Sequence, residues 1–100
     1  EIVDIGTATS SNNNTEAPLH TTLQFLDLSN NKIKDLHASF GRLKTLTQLD
    51  LEHNVLLNLP ESLCSVASLI SLNLAENQIG ELPSQISNFK TLTSLLLKRN

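Results

Sequence analysis

The chain has no Trp, no Tyr and no Met, and its only aromatic side chains are three phenylalanines. That leaves few of the anchors on which tight interfaces are built and few faces on which nucleic-acid bases could stack. Positive charge is also scarce: seven Lys and Arg stand against ten Asp and Glu, a formal net charge of -3, and no basic run gathers the cations. Nucleic acid, whose phosphates are bound by clustered Lys and Arg, is excluded as the main partner. The single cysteine, Cys64, cannot form an internal disulfide and favours a reducing compartment. No apolar run approaches the ~18 residues of a membrane helix, so no membrane span is expected, and the opening EIVDIGTATSS lacks the basic and apolar parts of a signal peptide. No Met starts the chain, which therefore reads as a piece of a longer protein.

Residues that could carry a reaction are scattered. The three glycines, Gly6, Gly41 and Gly80, are far apart and make no phosphate-cradling loop. His20, His37 and His53 stand without carboxylate or Cys companions at ligand spacing, so no metal and no other cofactor is expected. Asp50 and Glu52 leave a strand on the same side, a spacing that superficially suits acid–base work. Nothing apolar encloses them to separate their pKa values, and they read as a solvated strip. The segment is expected to hold no catalytic residue, to take no small-molecule substrate and not to be an enzyme.

What the chain has in abundance is leucine at a fixed period. Leu23, Leu46, Leu69 and Leu92 are each 23 residues apart, and counting from each of them gives the same unit. Its fourth position is Leu26, Leu49, Leu72 and Leu95, its sixth Leu28, Leu51, Leu74 and Leu97, and its ninth Asn31, Asn54, Asn77 and Asn100. Later come Ile33, Leu56 and Ile79 at position 11, Leu36, Leu59 and Leu82 at 14, Phe40, Leu63 and Ile86 at 18, and Leu43, Val66 and Phe89 at 21. This LxxLxLxxNx(I/L) core resembles the leucine-rich repeat, in units 23–45, 46–68, 69–91 and a truncated 92–100. LPESLCSV and LPSQISNF, residues 59–66 and 82–89, are similar to the 23-residue intracellular subclass of Ras-suppressor and scribble-like proteins. The GxIP element of the plant-receptor subclass is absent. The first unit has His37 where the others have Pro60 and Pro83, so its outer turn is expected to differ.

Positions 4 and 6 point to one side of an extended segment and position 5 to the other, so each unit owns one short strand. The rest of the unit must return across one face before the next strand, which makes the strands parallel and stacks their leucines into one core. The spacing of positions 18 and 21 predicts a short helical turn on the way back. The expected fold is an α/β leucine-rich-repeat solenoid, a curved slab with parallel strands on its concave face and short helical turns on its convex face. One unit cannot bury its apolar side alone. Asn31, Asn54, Asn77 and Asn100 are read as a structural ladder serving turn backbone. Cys64, like Gly41 and Ser87 at the same position 19, is read as a small filler on the convex side.

Residues 1–22 are either a degenerate N-terminal repeat or a linker. Val3, Asp4 and Ile5 are in phase with Leu26, Asp27 and Leu28, which predicts a strand over 2–5, whereas the polar run TSSNNNTE predicts a flexible return over 8–17. Asn13-Asn14-Thr15 matches a glycosylation sequon, of consequence only in a secreted protein.

The strand residues that face away from the leucines form columns across the concave face. Position 3 holds Phe25, Gln48 and Ser71, position 5 holds Asp27, Asp50, Asn73 and Leu96, and position 7 adds Glu52 and Lys98. These are the candidate binding residues. The face runs from acidic to apolar and basic, which points to a protein partner with a basic surface. Leu57 is a further exposed apolar candidate on the outer turn. The resemblance implies a protein-protein interaction module of a cytoplasmic signalling or scaffold protein, peripheral to membranes only through its partners. Two other readings stay open: a substrate-docking or sensor arm of a multidomain enzyme (kinase, phosphatase, cyclase or ubiquitin ligase), and an extracellular receptor or adhesion ectodomain. Sequence beyond residue 100 separates them, by a catalytic domain for the first, and a signal peptide with cysteine-rich caps in the full chain supports the second.

Overall fold

Alternation along an extended chain turns the middle residue of a three-residue strand to one side and its neighbours to the other. The computed structural model, which describes residues 2–3 and 23–100, builds its sheet on that rule. Along the chain run β1 (Ile2–Val3), β2 (Phe25–Asp27), β3 (Asp35–Leu36), β4 (Gln48–Asp50), β5 (Ser71–Asn73) and β6 (Ser94–Leu96), with 3-10 turns at Ala38–Arg42, Glu61–Ser65 and Ser84–Asn88. Strands β2, β4, β5 and β6 form one parallel sheet in that order. Leu26 is opposite Leu49, Leu49 opposite Leu72 and Leu72 opposite Leu95. The unbroken 23-residue period permits this, because a one-residue slip would turn a unit's leucines to solvent. Pairing continues past the strands: Leu28 N donates to Asp50 O at 2.8 Å, Leu51 N to Asn73 O at 2.9 Å and Leu74 N to Leu96 O at 2.8 Å.

The return path of each of the three complete units contains a 3-10 turn entered from an extended residue. His37, Pro60 and Pro83 hold that entry with φ of -70, -69 and -65. Proline is fixed near this value by its ring. His37 reaches it without one, and its Nδ1 accepts a hydrogen bond from Ser39 N at 3.1 Å. The first outer turn, expected to differ, instead matches the others in position and in its length of 5 residues. A side-chain cap replaces the ring. The outer turns pack closely: a Cβ on Gly41 would meet Ser62 O at 2.8 Å and Ser62 Cβ at 3.0 Å. Glycine is needed there for close approach of backbones.

The core lies between the sheet and these turns. Leu46, Leu51, Leu56, Leu63, Leu69 and Leu74 are 0% exposed. Leu23, Leu26 and Leu28 at one end, and Leu82, Phe89, Leu92 and Leu95 at the other, pack against that core only partly buried. A coil is sealed by having a neighbour on each side, so stability concentrates in the middle units.

The N-terminal expectation meets a different arrangement. In-phase sequence places residues 2–5 beside β2 in the leucine sheet. In the structure Ile2–Val3 are extended, but they pair in parallel with β3, Ile2 opposite Asp35 and Val3 opposite Leu36, in a separate two-stranded sheet. Asp35–Leu36 belongs to the outward path of the first described coil, and its backbone groups accept any extended segment within reach. Asp4 and Ile5, the stretch 8–17 and the sequon at Asn13 lie outside the described residues, as does the choice between repeat and linker for 1–22.

Leu72→Ala, in the sealed middle, is expected to cost about 2–5 kcal/mol, and Leu95→Ala, only partly buried, clearly less; denaturant unfolding of the two variants checks the order. Gly41→Ala is expected to lower stability by about 1–3 kcal/mol through overpacking against Ser62, read in the same titration.

Candidate binding face

Register brings the candidate residues together. Phe25, Gln48 and Ser71 stand in one row and Asp27, Asp50, Asn73 and Leu96 in the next, with neighbouring strands about 4.8 Å apart. Phe25 is 59% exposed and Leu96 49%, at opposite edges of the sheet. Asp27, Gln48 and Lys98 are also exposed, whereas Asp50, Glu52, Ser71 and Asn73 are half-buried. Leu57 is exposed away from this sheet, between the strand exit and the outer turn.

The acidic column has a local role as well as an outward one. Asp27 Oδ1 accepts hydrogen bonds from Ser29 N at 2.9 Å and Ser29 Oγ at 2.6 Å. Asp50 Oδ1 accepts from Glu52 N at 3.0 Å, and Asn73 Oδ1 from Ala75 N at 3.0 Å. Asp27, Asp50 and Asn73 at position 5 thus each close an Asx turn where the chain leaves its strand. The signal was present in the sequence as Asp or Asn two residues before the exit turn, and Leu96 lacks it. Asn73 Nδ2 also donates to Glu52 Oε1 at 2.8 Å, which orients that carboxylate across two strands. The Ser29 hydroxyl, and after it the Ser29 amide, hold the Asp27 carboxyl below its ordinary value against a small opposing effect of burial. Among the described residues no cation lies within ion-pair distance of Asp27, Asp50 or Glu52; the ion pair nearby joins Arg99 Nη1 to Glu76 Oε1 at 3.6 Å.

Beyond the strands the chain turns sharply. Asn30, His53, Glu76 and Arg99 have φ of 58, 61, 58 and 60, a left-handed conformation that costs about 1–2 kcal/mol for a residue with a Cβ. The asparagine that follows each of them holds the turn. Asn54 Nδ2 donates to Leu51 O at 3.0 Å in its own unit and to Leu28 O at 3.0 Å in the preceding one, while its Oδ1 accepts from Ile33 N at 3.1 Å. Asn77 repeats this with Leu74 O, Leu51 O and Leu56 N at 3.0, 2.9 and 3.1 Å, and Asn100 with Leu97 O, Leu74 O and Ile79 N at 2.9, 2.8 and 3.1 Å. Asn31 Nδ2 bonds within its own unit, to Leu28 O and Ser29 O at 2.9 and 3.0 Å. These turns border an open groove of about 820 Å³ whose walls include Lys32, His53, Glu76 and Arg99.

A second ladder, absent from the sequence reading, runs at the strand entry. Thr45 Oγ1 donates to Leu23 O at 2.8 Å, Ser68 Oγ to Leu46 O at 2.6 Å and Thr91 Oγ1 to Leu69 O at 2.9 Å. Its signal is a Thr or Ser in the last position of each complete unit. Cys64 is fully buried, and desolvation, then the charge of Glu61, push its thiol up, away from the reactive thiolate. Among the described residues no group of His, Cys, Asp and Glu could hold a metal ion, and no helix is long and apolar enough to cross a membrane.

Comparison with known proteins agrees with this architecture. A family model described as leucine rich repeat matches residues 20–56, and a second with the same description matches residues 68–89. No curated protein gives a match to the chain.

Asn77→Asp replaces an amide that donates to carbonyls with a carboxylate that repels them, and is expected to cost on the order of 3 kcal/mol or more; urea unfolding measures it, with Asn31→Asp, at an exposed asparagine, as the milder comparison. Because folding lowers the Asp27 pKa from 3.8, its contribution is present above the unfolded value and lost as pH falls through the folded one. Stability of the chain measured from pH 5 downward should therefore fall more steeply than that of Asp27→Asn.

Proposed function

Because the chain is a leucine-rich-repeat protein, we propose that it captures a protein partner on the exposed face of its four-stranded sheet, as a recognition module of an intracellular signalling or scaffold protein in the cytoplasm. Leucine-rich repeats generally mediate protein-protein interaction, and the sheet side offers side chains rather than a closed cavity. The observation that carries the reading is the exposure of Phe25 and Leu96 on one face with Asp27, Asp50 and Glu52, carboxylates that no cation neutralises among the described residues. Their charge is better suited to a partner that brings Lys or Arg than to bare solvent, since like charges stacked in a column oppose one another. The cytoplasmic setting is supported by the single, buried cysteine and by the LP-containing outer turns at Pro60 and Pro83.

Alanine at Asp27 or Asp50 would also remove an Asx turn, so the test uses Asp27→Asn, Asp50→Asn and Glu52→Gln together, which delete the charges and keep the acceptors. Captured by full-length protein from its own cells and then measured pairwise, the partner is expected to bind the triple variant at least about tenfold more weakly, while thermal unfolding stays cooperative and shifts only slightly through the lost Asp27 charge. Equal affinity for both forms would refute the sheet face as the binding surface.

A further inference from the structure

The charges on the sheet face are segregated, not mixed. Asp27, Asp50 and Glu52 all belong to β2, β4 and the exit from β4, whereas Lys98 and Arg99 follow β6 at the far edge. Between them, β5 presents neutral Ser71 and Asn73, and Ala75 is buried at 7% exposure. Glu76, which would blur the division, is engaged by Arg99 at 3.6 Å, and Lys98 stays exposed without an acidic partner among the described residues. Three strand spacings separate β2 from β6, so the two charged ends lie roughly 14 Å apart. Phe25 marks the acidic edge and Leu96 the basic one.

The backbone of this sheet is already paired strand to strand across the face, so an extended peptide lying on it would find no partners for its own N–H and C=O groups. The oxygens best placed to serve as acceptors, Oδ1 of Asp27, Asp50 and Asn73, are taken by Asx turns. A helix satisfies its own backbone and presents only side chains. From this we propose that the surface takes a dipolar amphipathic helix lying across the strands, with Lys or Arg at the end over β2 and β4, Asp or Glu at the end over β6, and an apolar stripe meeting Phe25 and Leu96. At a rise of about 1.5 Å per residue the two charged groups of that helix stand roughly nine residues apart, between i+7 and i+11 on one face. This inference rests on the sheet face being the binding surface and adds the chemistry of what binds there.

The probe is a set of synthetic helical peptides of equal length that share one leucine stripe. One has lysines in its first half and glutamates in its second, one interleaves the same residues, and one carries lysine throughout. Titrated against the chain, the segregated peptide is expected to bind at least about tenfold tighter than the interleaved one and tighter than the all-lysine one. A spin label on its lysine end should broaden amide signals of β2 and β4, and a label on its glutamate end those of β6. In Lys98→Glu the preference should pass to the all-lysine peptide. If the all-lysine peptide binds the unchanged chain as well as the segregated one, and both lose affinity when Asp27→Asn, Asp50→Asn and Glu52→Gln are introduced, the dipolar partner is refuted while the sheet face stands. Absence of binding by the segregated peptide refutes it too. So does sedimentation showing a dimer that those same substitutions dissociate, since a second copy of the chain would then be the occupant.

Discussion

The amide of one asparagine per unit ties each coil to the one before it, and the rest of the structure depends on that tie. A leucine side chain can slide along an apolar neighbour at small cost, whereas an amide that donates to two carbonyls and accepts from one N–H has a single good position. Asn54 and Asn77 are buried, at 6% and 7% exposure, where an unmatched polar group would be expensive. Their bonds reach both within the unit and back to the preceding one, so they set the turn and the spacing of coils together. At that spacing Leu26, Leu49, Leu72 and Leu95 stand in register, and the hydrophobic core fills the space between the aligned coils.

The same tie makes the left-handed residues tolerable. Position 8 holds Asn30, His53, Glu76 and Arg99, chemically unrelated side chains in one backbone conformation. Asn30 and His53 are of types that adopt a positive φ comparatively readily, but Glu76 and Arg99 are not; what all four share is the asparagine that follows. The Asx turns one step earlier and the Thr and Ser hydroxyls at the strand entry share the work, so both rims of the sheet are held by side chains bonded to backbone. The rims are rigid for that reason, and the charges they carry keep a fixed order across the face.

The structure also separates the chain into a sealed middle and open ends. The strand leucines of units two and three, Leu46, Leu49, Leu51, Leu69, Leu72 and Leu74, are buried, while Leu23 and Leu26 at one end and Leu92 and Leu95 at the other remain partly exposed. His37 shows how a unit can depart from the pattern and keep the geometry, since its imidazole caps the outer turn that proline shapes elsewhere. Ile2–Val3 show the reverse, a segment in phase with the repeat that pairs with Asp35–Leu36 and not with the leucine sheet. Phase describes which side chains alternate, not which edge is within reach.

The period of 23, the parallel strands, the inward leucines and the residues that share each strand row were all legible in the chain, because each depends only on alternation and equal spacing, which are properties of order along a line. The division of labour among polar groups was not. That Asp27 and Asp50 cap their own strand exits was within reach of local reading, but that Asn73 binds Glu52, that Glu76 is neutralised by Arg99 and that Gly41 lies against Ser62 depends on contacts between units about 21 to 23 residues apart. Sequence order determines which side chains share a face; only the stacked coils decide which of those charges are satisfied from within and which are left to meet a partner.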